Sequence, residues 1–122
     1  MVPPIDRVTS EQQQKLFEGL GRLKFEKPSL VSLYIPFGDS IKKWRKILMK
    51  ENEIEIKETI KSLLNLLLKY RSASVPTNGL VIYCHDNQVV MFEPVTNYGI
   101  EPVYQKSNLF NVKIIEQSED KE

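Results

Sequence analysis

Cysteine and histidine are almost missing from this chain, which holds one of each, Cys84 and His85. One cysteine closes no internal disulfide, and one cysteine with one histidine cannot assemble the ligand set of a structural zinc site, so no metal is expected. Charge of one sign is equally scarce, with 17 Lys plus Arg against 16 Asp plus Glu. The chain as a whole therefore lacks the cationic excess of a nucleic-acid binder, and any such surface has to come from local clustering. Long apolar runs are missing too: the richest, IKSLLNLLLKY, is too short and too charged to span a bilayer. The opening MVPPIDRVTSEQQQ has no apolar core of the signal-peptide type. These absences lead us to expect a soluble, cytoplasmic protein in a reducing compartment, without a membrane partner.

Phosphate-binding glycine loops are also lacking. The GLG at residues 19–21 falls inside or just after a helix rather than after a strand, so neither nucleotide hydrolysis nor a cofactor is expected. His85 beside Asp86 is a poor catalytic pair, because adjacent residues of a strand or turn point apart and no nucleophile or oxyanion site accompanies them. Cys84 reads as a small buried hydrophobe. Glu51, Glu53, Glu55 and Glu58 read as a solvated helix face rather than a cation site. No catalytic residue, and no small-molecule substrate, follows from this inventory.

What is present is enough for one domain and too little for two: 122 residues, of which 41% are hydrophobic and 27% charged. The sequence divides into an irregular lead-in at 1–8, a single domain at 9–115 and a polar tail at 116–122. Ser10 and Gln13 have the spacing of a capping box, opening a first helix with Leu16, Phe17, Leu20 and Leu23 as its apolar stripe. SLVSLYIP reads as a strand stopped by Pro36. Asp39 or Ser40 caps a second helix, with Ile41, Trp44 and Leu48 inward and Lys42, Lys43, Arg45, Lys46 and Lys50 over much of the rest. Ile56, Ile60, Leu63, Leu64 and Leu67 predict a third helix, giving a helical hairpin with its tip near Glu51 to Glu53. LVIYC and VVMFEP form a β-hairpin around HDNQ, and VYQKSNLF and NVKII supply one or two further short strands. The fold class is α+β: a mostly antiparallel sheet of about four strands, packed against the helical hairpin and the N-terminal helix.

The basic cluster on the second helix has two readings. Lysines opposite an apolar stripe occur on any surface helix, but Lys42, Lys43, Arg45 and Lys46 also suit contacts to a phosphate backbone.

SLVSLYIPFGDSI, VPTNGLVIYC and FEP, in this order, resemble the N-terminal, codon-reading domain of the class I peptide chain release factors of eukaryotes and archaea. The resemblance spans roughly Leu16 to Phe110. It implies a domain that enters the decoding site of the small ribosomal subunit, with ribosomal RNA and mRNA as partners, while a separate middle domain bearing Gly-Gly-Gln triggers peptidyl-tRNA hydrolysis. Gly-Gly-Gln does not occur here, so this chain alone is expected to be non-catalytic. It would act with a separate middle domain or another protein, occupy ribosomes on its own, or serve as a protein adaptor that no longer binds RNA.

The resemblance also implies candidate codon or RNA contacts. Glu51 falls at the family's recognition glutamate. Tyr104 and Phe110 keep the outer members of the Tyr-x-Cys-x-x-x-Phe motif, with Lys106 in place of the cysteine. KPS keeps only Ser29 of a Gly-Thr-Ser element. Between Asp39 and Tyr70 the chain is about eleven residues shorter than the family pattern, close to three helical turns. One alignment keeps Thr59, Ile60, Lys61 and Ser62 as a variant of the Asn-Ile-Lys-Ser motif. The other deletes that motif, leaving TIKS inside a helix with Thr59 and Lys61 on its surface. The unbroken apolar face through the tetrapeptide favours the second.

Overall fold

The computed structural model describes residues 2–112. In chain order the elements are α1 (Ser10–Gly21), β1 (Leu30–Ile35), α2 (Ile41–Leu48), a 3-10 turn (Ile54–Ile56), α3 (Lys57–Lys69), β2 (Leu80–His85), β3 (Gln88–Phe92) and β4 (Val103–Ser107). The strands form one antiparallel sheet in the order β3-β2-β1-β4. This is an α+β fold, with the α2–α3 hairpin on one face of the sheet and α1 on the other.

The period-2 alternation of the strands builds the two cores. Val31, Leu33 and Ile35 of β1, with Leu80, Ile82 and Cys84 of β2, meet Ile41, Trp44, Leu48, Ile60, Leu63 and Leu67 of the hairpin. Leu30 and Tyr34, with Val81 and Tyr83, meet Phe17, Leu20, Phe92, Tyr98 and Phe110 on the α1 side. Every residue of β1 is buried, as a strand covered on both faces must be. Val2 and Ile5 of the lead-in pack on the hairpin-side core. Arg7 bridges to Glu93, just beyond β3, which covers part of that sheet edge.

The start of α1 differs from the sequence expectation by one residue. Thr9 is the N-cap: its hydroxyl accepts from Gln12 N, and the Gln12 side chain accepts from Thr9 N. Gln13 is needed elsewhere, since its buried Oε1 accepts from Val95 N at 3.0 Å and from Tyr98 Oη at 3.3 Å. Leu23 lies beyond the helix end and is 42% exposed, so the buried face of α1 is Gln13, Phe17 and Leu20. The second half of the expected NVKII strand lies outside the described residues.

The segments PTNG and FEP are two halves of one construction. Gly79 N donates to Pro76 O at 2.8 Å, closing a turn in which Gly79 has φ +89°. Asn78 N donates to the Glu93 carboxylate at 3.0 Å, and the Asn78 side-chain amide donates to Pro94 O and Val95 O. The Tyr34 hydroxyl donates to Asn78 O at 3.1 Å. One asparagine thus ties the turn before β2 to the segment after β3 and to the central strand.

Ser40 caps α2 by accepting from Lys43 N, and Asp39 braces the same turn. Asp39 accepts from Ser40 N at 2.9 Å, Lys43 Nζ at 3.2 Å and Trp44 Nε1 at 3.0 Å. Partial burial of its carboxyl works against ionisation, but the hydrogen bonds from Trp44, Ser40 and Lys43 outweigh it and hold the group below its ordinary 3.8. A depressed carboxylate stabilises the fold fully above its unfolded value and loses that contribution as pH falls through the folded one. Asp39→Ala is expected to lower stability by about 2 kcal/mol at pH 7. The gap from wild type should narrow at pH 3, as measured by urea unfolding at both pH values.

Candidate functional site

The hairpin tip and β4 bring together three of the sequence candidates. Tyr104 and Lys106 are two apart on β4 and pair with Leu33 and Val31 of β1, so both face the helical hairpin. Glu51 lies just past the end of α2, where Glu51 N donates to Leu48 O and turns the chain towards the sheet. Its carboxylate accepts from the Tyr104 hydroxyl at 3.0 Å through Oε2, and from Lys106 Nζ at 3.3 Å through both oxygens. Lys106 Nζ also donates to Glu53 Oε1 at 2.6 Å. Trp44 completes the cluster with its ring tilted 68° to that of Tyr104, centroids 6.1 Å apart.

Burial, then the adjacent Glu51 carboxylate, push the Tyr104 phenol above its ordinary range, so it remains an O–H donor. The hydrogen bond to Glu53, followed by that to Glu51, raises the Lys106 ammonium above its usual value and keeps it charged. The Glu51 side chain is 15% exposed, against 46% for Glu53 and 30% for Lys106. The inner carboxylate is thus held and the outer one is wet. Tyr104 is not a free stacking platform: its hydroxyl is committed to Glu51, and its ring has Trp44 at one edge and Lys106 Nζ 6.0 Å from its centroid.

A groove of about 600 Å³ adjoins the cluster, lined in part by Glu51, Glu53, Ile54, Ile60, Lys61 and Leu64. It joins Glu51 to the Thr59–Ser62 tetrapeptide, which occupies the first turns of α3 rather than the hairpin tip. Within that tetrapeptide Lys61 is exposed and Ser62 half-buried. Thr59 is fully buried, contrary to the expectation of a surface residue. The reason is its hydroxyl, which donates to Ser29 O at 2.7 Å and accepts from Asp86 N at 2.9 Å, stitching α3 to the start of β1 and the turn after β2.

The remaining candidates separate. Ser29 is buried, its carbonyl held by Thr59 and its hydroxyl donating to Lys27 O. Phe110 lies on the opposite face of the sheet, edge-on to Tyr83 at 5.2 Å. Lys42, Lys46 and Lys50 are exposed along a shallow groove on the outer side of α2, whereas Lys43 pairs with Asp39. Arg45 is half-buried, and its Nε is shielded without a partner among the described residues. Glu53 and Trp44 were not among the sequence candidates for the site. The only signal for Glu53 is its position two residues after Glu51 in a non-helical tip.

Other chemistry is quiet. Burial, and secondarily Asp86, push the Cys84 thiol up to about 12, so it is a neutral core group. His85 stacks on Phe25 with ring centroids 4.0 Å apart. Among the described residues no helix is long and apolar enough to cross a membrane.

The helical hairpin over a four-stranded antiparallel sheet, with a further helix behind, is a fold shared with solved archaeal chains. One of them, described as an archaeal protein, superposes with a TM-score of 0.78 and 21% identity over 91% of this chain and 36% of its own. Another is an archaeal translation termination factor, aRF1, with a TM-score of 0.72 and 20% identity over 90% of this chain and 34% of its own. This chain therefore has the fold of about a third of each. No family model matches the sequence, and no curated protein matches it.

Proposed function

We propose that the chain is a non-catalytic, translation-related module that binds RNA of the small ribosomal subunit at the decoding site and does not itself hydrolyse peptidyl-tRNA. The observation that carries this reading is the outer side of α2. On a fold similar to part of an archaeal translation termination factor, Lys42, Lys46 and Lys50 stand exposed along one groove, with no ion-pair partner among the described residues. Lys42 and Lys46 lie about one helical turn apart, roughly 6 Å along the axis, and Lys50, just past the helix end, lines the same groove. Such a row of ammonium groups meets a phosphate backbone without reading its sequence. The near-zero net charge of the chain makes this local concentration the natural contact surface.

Three phosphate contacts give a log–log dependence of affinity on salt with a slope of about −2 to −3. Co-sedimentation with purified small subunits across a salt series should show that slope. A Lys42→Glu, Lys46→Glu, Lys50→Glu variant, altered only at exposed positions, should lose roughly 100-fold or more in affinity while melting like wild type. Unchanged binding by the variant would refute the reading.

A second reading, a protein adaptor, has its own observation. Ile54 at the hairpin tip is 85% exposed, and Phe37 and Met49 are 60% and 58% exposed. Retention of a protein partner at high salt, without any association with ribosomal subunits, would favour it.

A further inference from the structure

Resting on the RNA-binding reading, and deepening it, we propose that Lys106 is a specificity-determining residue that silences Glu51, so that the module occupies RNA without discriminating between bases at this site. A carboxylate next to an open groove is a natural acceptor for the exocyclic amino group of a nucleobase. It can act as one only with acceptor capacity to spare. A carboxylate offers about four lone-pair positions. Glu51 has three engaged from inside the protein, one by the Tyr104 hydroxyl and two by Lys106. With its side chain only 15% exposed, a base would have to displace the lysine to gain a well-aligned bond.

Glu53 makes that displacement harder. Its 2.6 Å contact is the shortest that Lys106 makes and anchors the ammonium from the solvent side, leaving it between two carboxylates rather than free to swing away. The lysine also cancels one of the two negative charges at the hairpin tip, easing the approach of phosphates beside the basic face of α2. The pairing joins residues 55 apart in sequence across the α2–β4 boundary, so one side chain both fixes the tip against the sheet and caps the acceptor.

The test uses small subunits programmed with triplets that differ at a single position, adenine, guanine, cytosine or uracil, and compares wild type with Lys106→Met, Lys106→Gln and Glu53→Gln. Wild type should bind all four within about twofold, and Glu53→Gln, which loses the outer anchor of Lys106, should fall between wild type and the Lys106 variants. The two Lys106 variants, checked as folded by thermal unfolding, should prefer amino-bearing bases by about fivefold or more, as one freed acceptor bond implies. Strong base preference in wild type, or indifference in both Lys106 variants, would overturn the proposal while leaving RNA binding intact. Failure of every variant and of wild type to bind any programmed subunit would overturn the RNA-binding reading and this inference together.

Discussion

Thr59→Val is expected to lower the unfolding free energy by about 3 kcal/mol, although it preserves shape and removes no charge. Thr59 is fully buried, and its hydroxyl is both the donor to Ser29 O and the acceptor for Asp86 N. Valine fills the volume but leaves a carbonyl and an amide without partners, each costing roughly 1–3 kcal/mol where water cannot replace the lost group. For a domain of this size the loss corresponds to roughly 10 °C in melting temperature. Lys61→Ala, two residues along on the exposed side of α3, should stay within about 0.5 kcal/mol of wild type. Thermal and urea unfolding of both variants measure the contrast. A silent Thr59→Val would mean that this threonine does not hold α3 to β1.

Gly79→Ala is expected to be at least as damaging. Gly79 has φ +89°, where a side chain is strained, and an added Cβ would lie 2.7 Å from Cε1 and Cζ of Tyr34. That ring belongs to a fully buried tyrosine whose hydroxyl is bonded to Asn78 O, so it cannot move away cheaply. Backbone strain of about 1–2 kcal/mol and overpacking of about 1–3 kcal/mol together give a loss of about 2–5 kcal/mol. Shortening the tyrosine relieves only the steric part. Tyr34→Leu should therefore be destabilising alone, yet make the added methyl less harmful, a coupling that a double-mutant cycle reads directly. Strict additivity would show that the ring is not what the methyl meets.

Elements whose periodicity reports directly on burial were legible in the sequence. Ile41, Trp44 and Leu48 recur with the helical period and are all buried, and the alternation of β1 and β2 divides their side chains between two cores. The start of α1 was ambiguous because TSEQQQ contains the capping pattern twice, as Thr9 with Gln12 and as Ser10 with Gln13. The choice rests on Val95 and Tyr98, more than 80 residues away, which claim the side chain of Gln13. The burial of Thr59 is hidden for a related reason: a helical wheel shows which face is apolar, but not that a hydroxyl on its margin has a carbonyl and an amide waiting for it.

The candidate site was legible in part. A resemblance of motifs points to Glu51, Tyr104 and Lys106, and the structure brings the three into contact. No motif marks Glu53 or Trp44, since their roles depend on how the hairpin tip folds back onto β4, a contact between distant segments that no local pattern encodes. PTNG and FEP, which carry much of the resemblance, prove to be a turn and its brace, so they specify the scaffold rather than a binding surface.

The most direct test of the central claim is chemical footprinting of small-subunit RNA with and without this protein, at salt concentrations low enough to retain three lysine contacts. Protection concentrated in the decoding region is expected, and its loss with the Lys42, Lys46 and Lys50 charge reversals. Protection elsewhere on the subunit, or none while the protein remains folded, would contradict the claim.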